Sequence, residues 1–129
     1  MTDTYTTADK GDTGNTRKAP GITMTASKIL RIIREFRKMH RDISAQVIEV
    51  YLTVAMNEGI QVHQIAEKMG VASATASRHC AFLGKVDRRR NPGLDLIVVT
   101  EVYDDRRFKE CKLTTKGKMV LESLRDIME

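Results

Sequence analysis

Between Val62 and Leu83 the apolar positions of VHQIAEKMGVASATASRHCAFL fall into two short helical sets separated by a glycine. Ile65, Ala66 and Met69 recur at i, i+1 and i+4, and Gly70 stands where a left-handed residue ends a helix. Ser73 then offers an N-cap hydroxyl to a second helix, in which Ala76, Cys80 and Leu83 recur at i, i+4 and i+7. The pattern predicts a helix-turn-helix. An ordinary antiparallel helix pair with a solvated polar face has the same periodicity.

The flanking patterns supply the rest of a small domain. From Thr25 to Arg41, Ile29, Leu30, Ile33, Phe36 and His40 share one helical face, which Ile32 and Met39 widen. A second helix is expected over Ser44 to Asn57, with Ser44 as N-cap and Val47, Ile48, Tyr51, Leu52 and Ala55 at core spacing. Ile60 to Val62 is long enough only for a strand stub. After Gly84 the period changes: Leu94 to Tyr103 is β-branched and partly alternating, and Phe108 to Leu113 alternates again. Asp104 to Arg107 lies between them, which predicts a two-stranded hairpin with a charged tip. Thr115 to Met128 closes the chain as a helix with Val120, Leu121, Leu124, Ile127 and Met128 apolar. Helix-turn-helix, hairpin and closing helix is the order of a winged helix. The expected fold is therefore mainly α with a small β-hairpin, over residues 24–129. Residues 1–23 are polar, without period and balanced in charge, and read as a disordered arm.

Composition narrows the function classes. The 129 residues suit one domain, and 41% hydrophobic with 30% charged residues describe a globular chain. Its 22 Lys+Arg exceed 17 Asp+Glu, a net +5 that favours a polyanionic partner. No apolar run nears the roughly 18 residues of a membrane span, and Met1 to Pro20 lacks the apolar centre of a signal peptide, so a cytoplasmic protein is expected. Cys80 and Cys111 do not make a disulfide scaffold, and with His63 and His79 they lack CxxC or HxxxH zinc spacing. On the inward face of its helix Cys80 reads as a small hydrophobe, with a redox-sensing thiol as the alternative. Paired carboxylates, a nucleophile elbow and a phosphate loop are all missing from the sequence, and His40, His63 and His79 lie on three segments. Neither catalysis nor a cofactor is expected.

The candidate chemistry is on the outward side of the second helix of the pair. Thr75, Ser77, Arg78 and His79 present short hydroxyls, a guanidinium and an imidazole, which suit phosphate oxygens and base edges in a major groove. Beyond it Lys85, Arg88, Arg89 and Arg90 form a basic run ending at the turn Asn91-Pro92-Gly93. The first helix is basic away from its apolar face, through Lys28, Arg31, Arg34, Arg37, Lys38 and Arg41. Its stripe is wider than one small domain needs to cover, which suggests a subunit contact alongside plain core packing.

Two segments resemble the MarR family of winged-helix regulators. Asp105-Arg106-Arg107, five residues, Leu113-Thr114, two residues and Gly117 look like that family's wing and post-wing signature, and Gly70 to Leu83 is similar to its turn and recognition helix. The resemblance implies a homodimer on a pseudo-palindromic operator, held by terminal helices through Ile29, Ile33, Phe36, Val120 and Leu124. It implies that Thr75, Ser77, Arg78 and His79 face the major groove while Ser73 meets a phosphate at the helix N-terminus. Arg106 or Arg107 would enter the minor groove, braced by Asp105. Many members of the family release DNA on binding a small phenolic or apolar effector; this sequence names none. The chain departs from the family in its long segment before the wing, its single short C-terminal helix, and Gln61 at an N-cap position. A winged helix that docks on a protein partner is the alternative, and it predicts weak DNA binding without sequence preference.

Overall fold

The computed structural model describes residues 20–102 and 105–129, with side chains over 21–101 and 108–129. It divides into two units after Arg34, within the first helix, α1 (Pro20–Met39).

In the first unit the helix begins at Pro20, before the expected start at Thr25. Proline suits the first helical position because its missing N–H has no helical partner there and its φ is already set. Thr25 Oγ1 donates to the Gly21 carbonyl at 2.7 Å. The polar arm expected to reach Thr23 thus gives up its last residues to the helix; residues 1–19 lie outside the described part. Ile22, Met24, Ile29, Leu30 and Ile33 are exposed along this stretch.

The second unit holds the end of α1, then α2 (Ala45–Met56), β1 (Ile60–Gln61), α3 (Val62–Met69), α4 (Ser73–Leu83), β2 (Ile97–Val102), β3 (Asp105–Leu113) and α5 (Thr115–Met128). Ser44 caps α2, accepting from Val47 N at 3.1 Å. Gln61 is the N-cap of α3, and its amide donates to Gln64 Oε1 at 2.9 Å, so the return bond of a capping box offsets the weak cap residue. α3 ends at Gly70, at φ 69° and ψ 34°. This left-handed residue turns the chain between the two helices of the pair.

The sheet has three antiparallel strands in the order β1-β3-β2, where two were expected. Cys111 on the central strand pairs with Ile60 on one side and Val99 on the other. A two-residue strand has no readable period, and its partner lies about fifty residues away in sequence. Leu94 to Leu96, expected to extend the first wing strand, are not strand. Asp95 adopts φ 57°, and the amides of Leu94, Asp95 and Leu96 donate to the Phe82, Gly84 and Leu83 carbonyls at 2.8–3.0 Å. These three residues satisfy the open end of α4 instead of a strand ladder. Val102 pairs with Asp105, so Asp105 to Arg107, expected in the hairpin tip with Asp104, belong to β3 by backbone position.

The core of this unit gathers Phe36, Val50, Tyr51, Val54, Ile65, Leu83, Leu96 and Ile97. Phe36 meets Tyr51 edge-on, with centroids 5.8 Å apart. The buried Tyr51 hydroxyl donates to the Gly117 carbonyl at 2.6 Å, and burial pushes its pKa up to about 12, which keeps it a donor. This bond ties α2 to the first turn of α5. There Thr114 accepts from Gly117 N at 2.9 Å and donates to the Asp95 carbonyl at 2.6 Å.

Candidate nucleic-acid interface

α4 is held by its inward face and carries its polar row on the other. Ala76, Cys80 and Leu83 are buried, as their helical spacing requires. Its N-cap is Ala72, which makes no side-chain bond, and Ser73, expected in that role, is the first helical residue instead. Its hydroxyl is left exposed at the positive end of the helix. Arg78 is exposed, while Thr75, Ser77 and His79 are half-buried. Arg78 Nη2 reaches Thr75 Oγ1 at 3.4 Å, one helical turn back, a contact too long to hold the guanidinium firmly.

The basic run after α4 folds back onto this face. Arg88 Nη2 donates to Ser77 Oγ at 2.6 Å, which places the run beside the polar row of α4. The loop is fixed by Asp87, whose carboxylate accepts from both Arg89 N and Asn91 N at 2.8 Å. Asp87 N also donates to Asn91 O at 2.8 Å, Val86 bridges Pro92, and Arg90 sits at φ 65°. Arg88, Arg89 and Arg90 all remain exposed on this braced turn.

His79 Nε2 lies 2.9 Å from Gln46 Oε1 on α2. Burial holds the imidazole below its usual pKa, and the neighbouring Arg78 charge adds to the effect. The folded chain therefore takes up this proton less readily than the unfolded one. Stability carried by neutral His79 is present at neutral pH and falls as the pH drops through the ordinary imidazole range near 6.5. A histidine-resolved NMR titration is expected to give His79 a midpoint below that of an unfolded reference peptide; a midpoint at or above the reference would contradict the burial.

Sequence reasoning missed Gln46 and Asp87. Gln46 lies 33 residues from His79, and no local pattern joins them. Asp87 carried a readable signal, an aspartate opening a turn that ends at Asn91-Pro92-Gly93. Arg106 and Arg107 lie on β3 by backbone position; their side chains, with that of Asp105, are outside the described part. Of the residues expected at a subunit contact, Ile29 and Ile33 are exposed and Val120 is half-buried. Phe36 and Leu124, at 1% and 5% exposure, pack inside the chain's own core. Helical spacing shows which residues share a face, not which part of the face the same chain covers. Among the described residues no three His, Cys, Asp or Glu side chains cluster to hold a metal, and no helix is long and apolar enough to cross a membrane.

This arrangement of helix-turn-helix, three-stranded wing sheet and closing helix defines a winged helix, and its fold is that of the MarR-type regulators. No sequence-family model and no curated protein matches the chain; the likeness is to solved structures. The MepR–DNA complex of S. aureus superposes with a TM-score of 0.64 at 18% identity, covering 85% of this chain and 83% of that one. A MarR transcriptional regulator from Methanosarcina mazei gives 0.60 at 15% identity, over 83% and 70% of the two chains. The PcaV regulator of Streptomyces coelicolor gives 0.54 at 18%, over 86% and 76%.

Proposed function

We propose that the protein is a sequence-specific double-stranded DNA-binding transcriptional regulator, a repressor that binds a pseudo-palindromic operator as a homodimer in the cytoplasm. The observation that carries this reading is the joined polar and basic surface of α4. The row Thr75, Ser77, Arg78 and His79 is flanked by the braced loop of Arg88, Arg89 and Arg90, locked to it through Ser77. The loop cations neutralise phosphates and set the register, while the exposed α4 side chains read base edges. Ser73 meets a phosphate at the helix N-terminus. Arg106 or Arg107 of the wing enters the flanking minor groove, with Asp105 bracing that arginine. Ile29, Ile33 and Val120 supply apolar surface for the second copy. The likeness to a regulator solved on DNA supports the reading, as does a net charge of +5.

Fluorescence anisotropy on a duplex from upstream of the protein's own gene, with excess competitor DNA and at two salt concentrations, tests it. A specific regulator keeps its affinity in competitor, whereas binding through phosphates alone collapses with salt. Arg78→Ala is expected to cost about 1 to 3 kcal/mol on the operator and to relax discrimination at one base pair. An equal loss on every sequence would make Arg78 a phosphate contact. Equal, salt-sensitive binding of all duplexes by the natural chain would favour a protein-docking winged helix.

A further inference from the structure

The bond between the basic loop and α4 settles which way round Ser77 can use its hydroxyl. Arg88 Nη2 lies 2.6 Å from Ser77 Oγ, and a guanidinium carries donors only, so the serine oxygen is the acceptor. We propose that Arg88 is a positioning residue that makes Ser77 a hydrogen-bond donor toward DNA, so that α4 rejects cytosine at the base Ser77 faces; this inference rests on the function proposed above.

Three observations carry it. First, the Ser77 proton is uncommitted. Thr25, Thr53 and Ser123, which are also helical, donate to the carbonyl four residues back at 2.7, 2.7 and 3.3 Å. Ser77 has no such bond among the described residues and enters only the one it accepts from Arg88. Second, the guanidinium comes from a closed loop seated on α4. Gly93 N donates to Lys85 O at 2.9 Å and Arg90 N to Asp87 O at 3.0 Å. A Cβ on Gly93 would stand 2.1 Å from the Gly84 carbonyl oxygen, so the base of the loop lies directly against the end of the helix. Third, Ser77 follows Ser73 by one helical turn and is half-buried beside the exposed Arg78. Its hydroxyl therefore meets a base edge only where the helix itself is pressed into the groove.

The base preference follows from the hydroxyl's inventory of one proton and two lone pairs. A serine free to rotate offers either role, and so pairs with any base. With a guanidinium on one lone pair, the positive charge polarises the O–H outward and opposes a second donor at the same oxygen. What remains to face the groove is the proton. Guanine offers it N7 and O6, adenine N7 and thymine O4, whereas cytosine presents its N4 amino group, a donor. Cytosine on the strand that Ser77 faces thus leaves two donors opposed and the serine proton unpaired.

The test passes the full chain, Ser77→Ala, Arg88→Ala and the double variant over a duplex library with a randomised centre of about 20 base pairs, two helical turns. The bound duplexes are sequenced, and circular dichroism checks that each variant keeps its helices. The position whose preference disappears in Ser77→Ala is the one Ser77 reads. There the natural chain is expected to disfavour cytosine by roughly five- to tenfold. Arg88→Ala should bring cytosine at that position to within about twofold of the other bases, because the freed hydroxyl can turn and accept from N4. The double variant should match Ser77→Ala at that position. A structural role for Arg88 does not produce this gain of one base at one position. Preferences unchanged in Arg88→Ala, with a salt slope lower by about one, would make Arg88 a plain phosphate contact and overturn the proposal. Relaxation at a different position, an even loss at all positions, or no change in Ser77→Ala would also overturn it. A natural chain that enriches no sequence would refute the proposed function itself, and this inference with it, a result read before any variant is used.

Discussion

A chain carrying Ile29→Glu and Ile33→Glu is expected to run as a monomer and to bind an operator duplex at least about 100-fold more weakly than the natural chain. The two residues are one helical turn apart on α1, 53% and 45% exposed. A carboxylate in place of either leaves the folded chain solvated but is costly to bury against a second copy. Covering each isoleucine contributes roughly 1.5 kcal/mol or more to association. The DNA effect follows from linkage: with both half-sites engaged by one dimer, the second contact forms at high effective concentration, and a monomer loses that gain, on the order of 10²–10⁴-fold. Analytical ultracentrifugation reads the mass and anisotropy the affinity, with circular dichroism showing that the helices persist. A dimer mass retained in the double variant would refute the subunit role of α1. Phe36 is unsuitable for this test. It is buried against Tyr51 within the chain, so a charge there unfolds the protein whatever its assembly.

Gly117→Ala is expected to lower stability by about 3 kcal/mol, at the upper end of the range for overpacking, and the melting temperature by roughly 10–20 °C. A Cβ at this position would stand 2.1 Å from the Leu96 carbonyl oxygen and 3.0 Å from its carbon. Both are backbone atoms, and Leu96 cannot retreat easily, because its amide donates to the Leu83 carbonyl and its carbonyl accepts from Thr114 N. Relieving the clash means lifting the first turn of α5, which stretches the 2.6 Å bond from the buried Tyr51 hydroxyl and leaves that donor unsatisfied. Lys116→Ala, one residue earlier and exposed, is the control and should change stability by less than about 0.5 kcal/mol. An unchanged melting temperature in Gly117→Ala would mean that α5 is not seated on Leu96 in solution.

Ile29, Ile33 and Gly117 differ in how far a local pattern reveals them. Ile29 and Ile33 were visible as an apolar stripe because a helix repeats every 3.6 residues and the stripe is local. Gly117 could be picked out only through resemblance, since its need for a bare Cα comes from a carbonyl at Leu96. Cys80 was legible as an inward residue of α4, whereas its 4.0 Å approach to Cys111 was not. The basic loop shows the same division: its arginines were plain in the sequence, but their placement depends on Asp87 gripping two amides and on Arg88 finding Ser77.

By itself the sequence determined the order and type of the main elements, the left-handed turn at Gly70, the inward face of α4 and the position of the wing, because caps and periodicities act over a few residues. Tertiary structure alone decided that a two-residue segment at Ile60 joins the sheet. It also decided that Leu94 to Leu96 close the end of α4 instead of extending β2, and that Phe36 and Leu124 belong to the chain's own core. Each of these outcomes depends on a hydrogen-bond acceptor or an apolar surface contributed from far away in the chain, and packing chooses among local options that the sequence leaves nearly equal in energy.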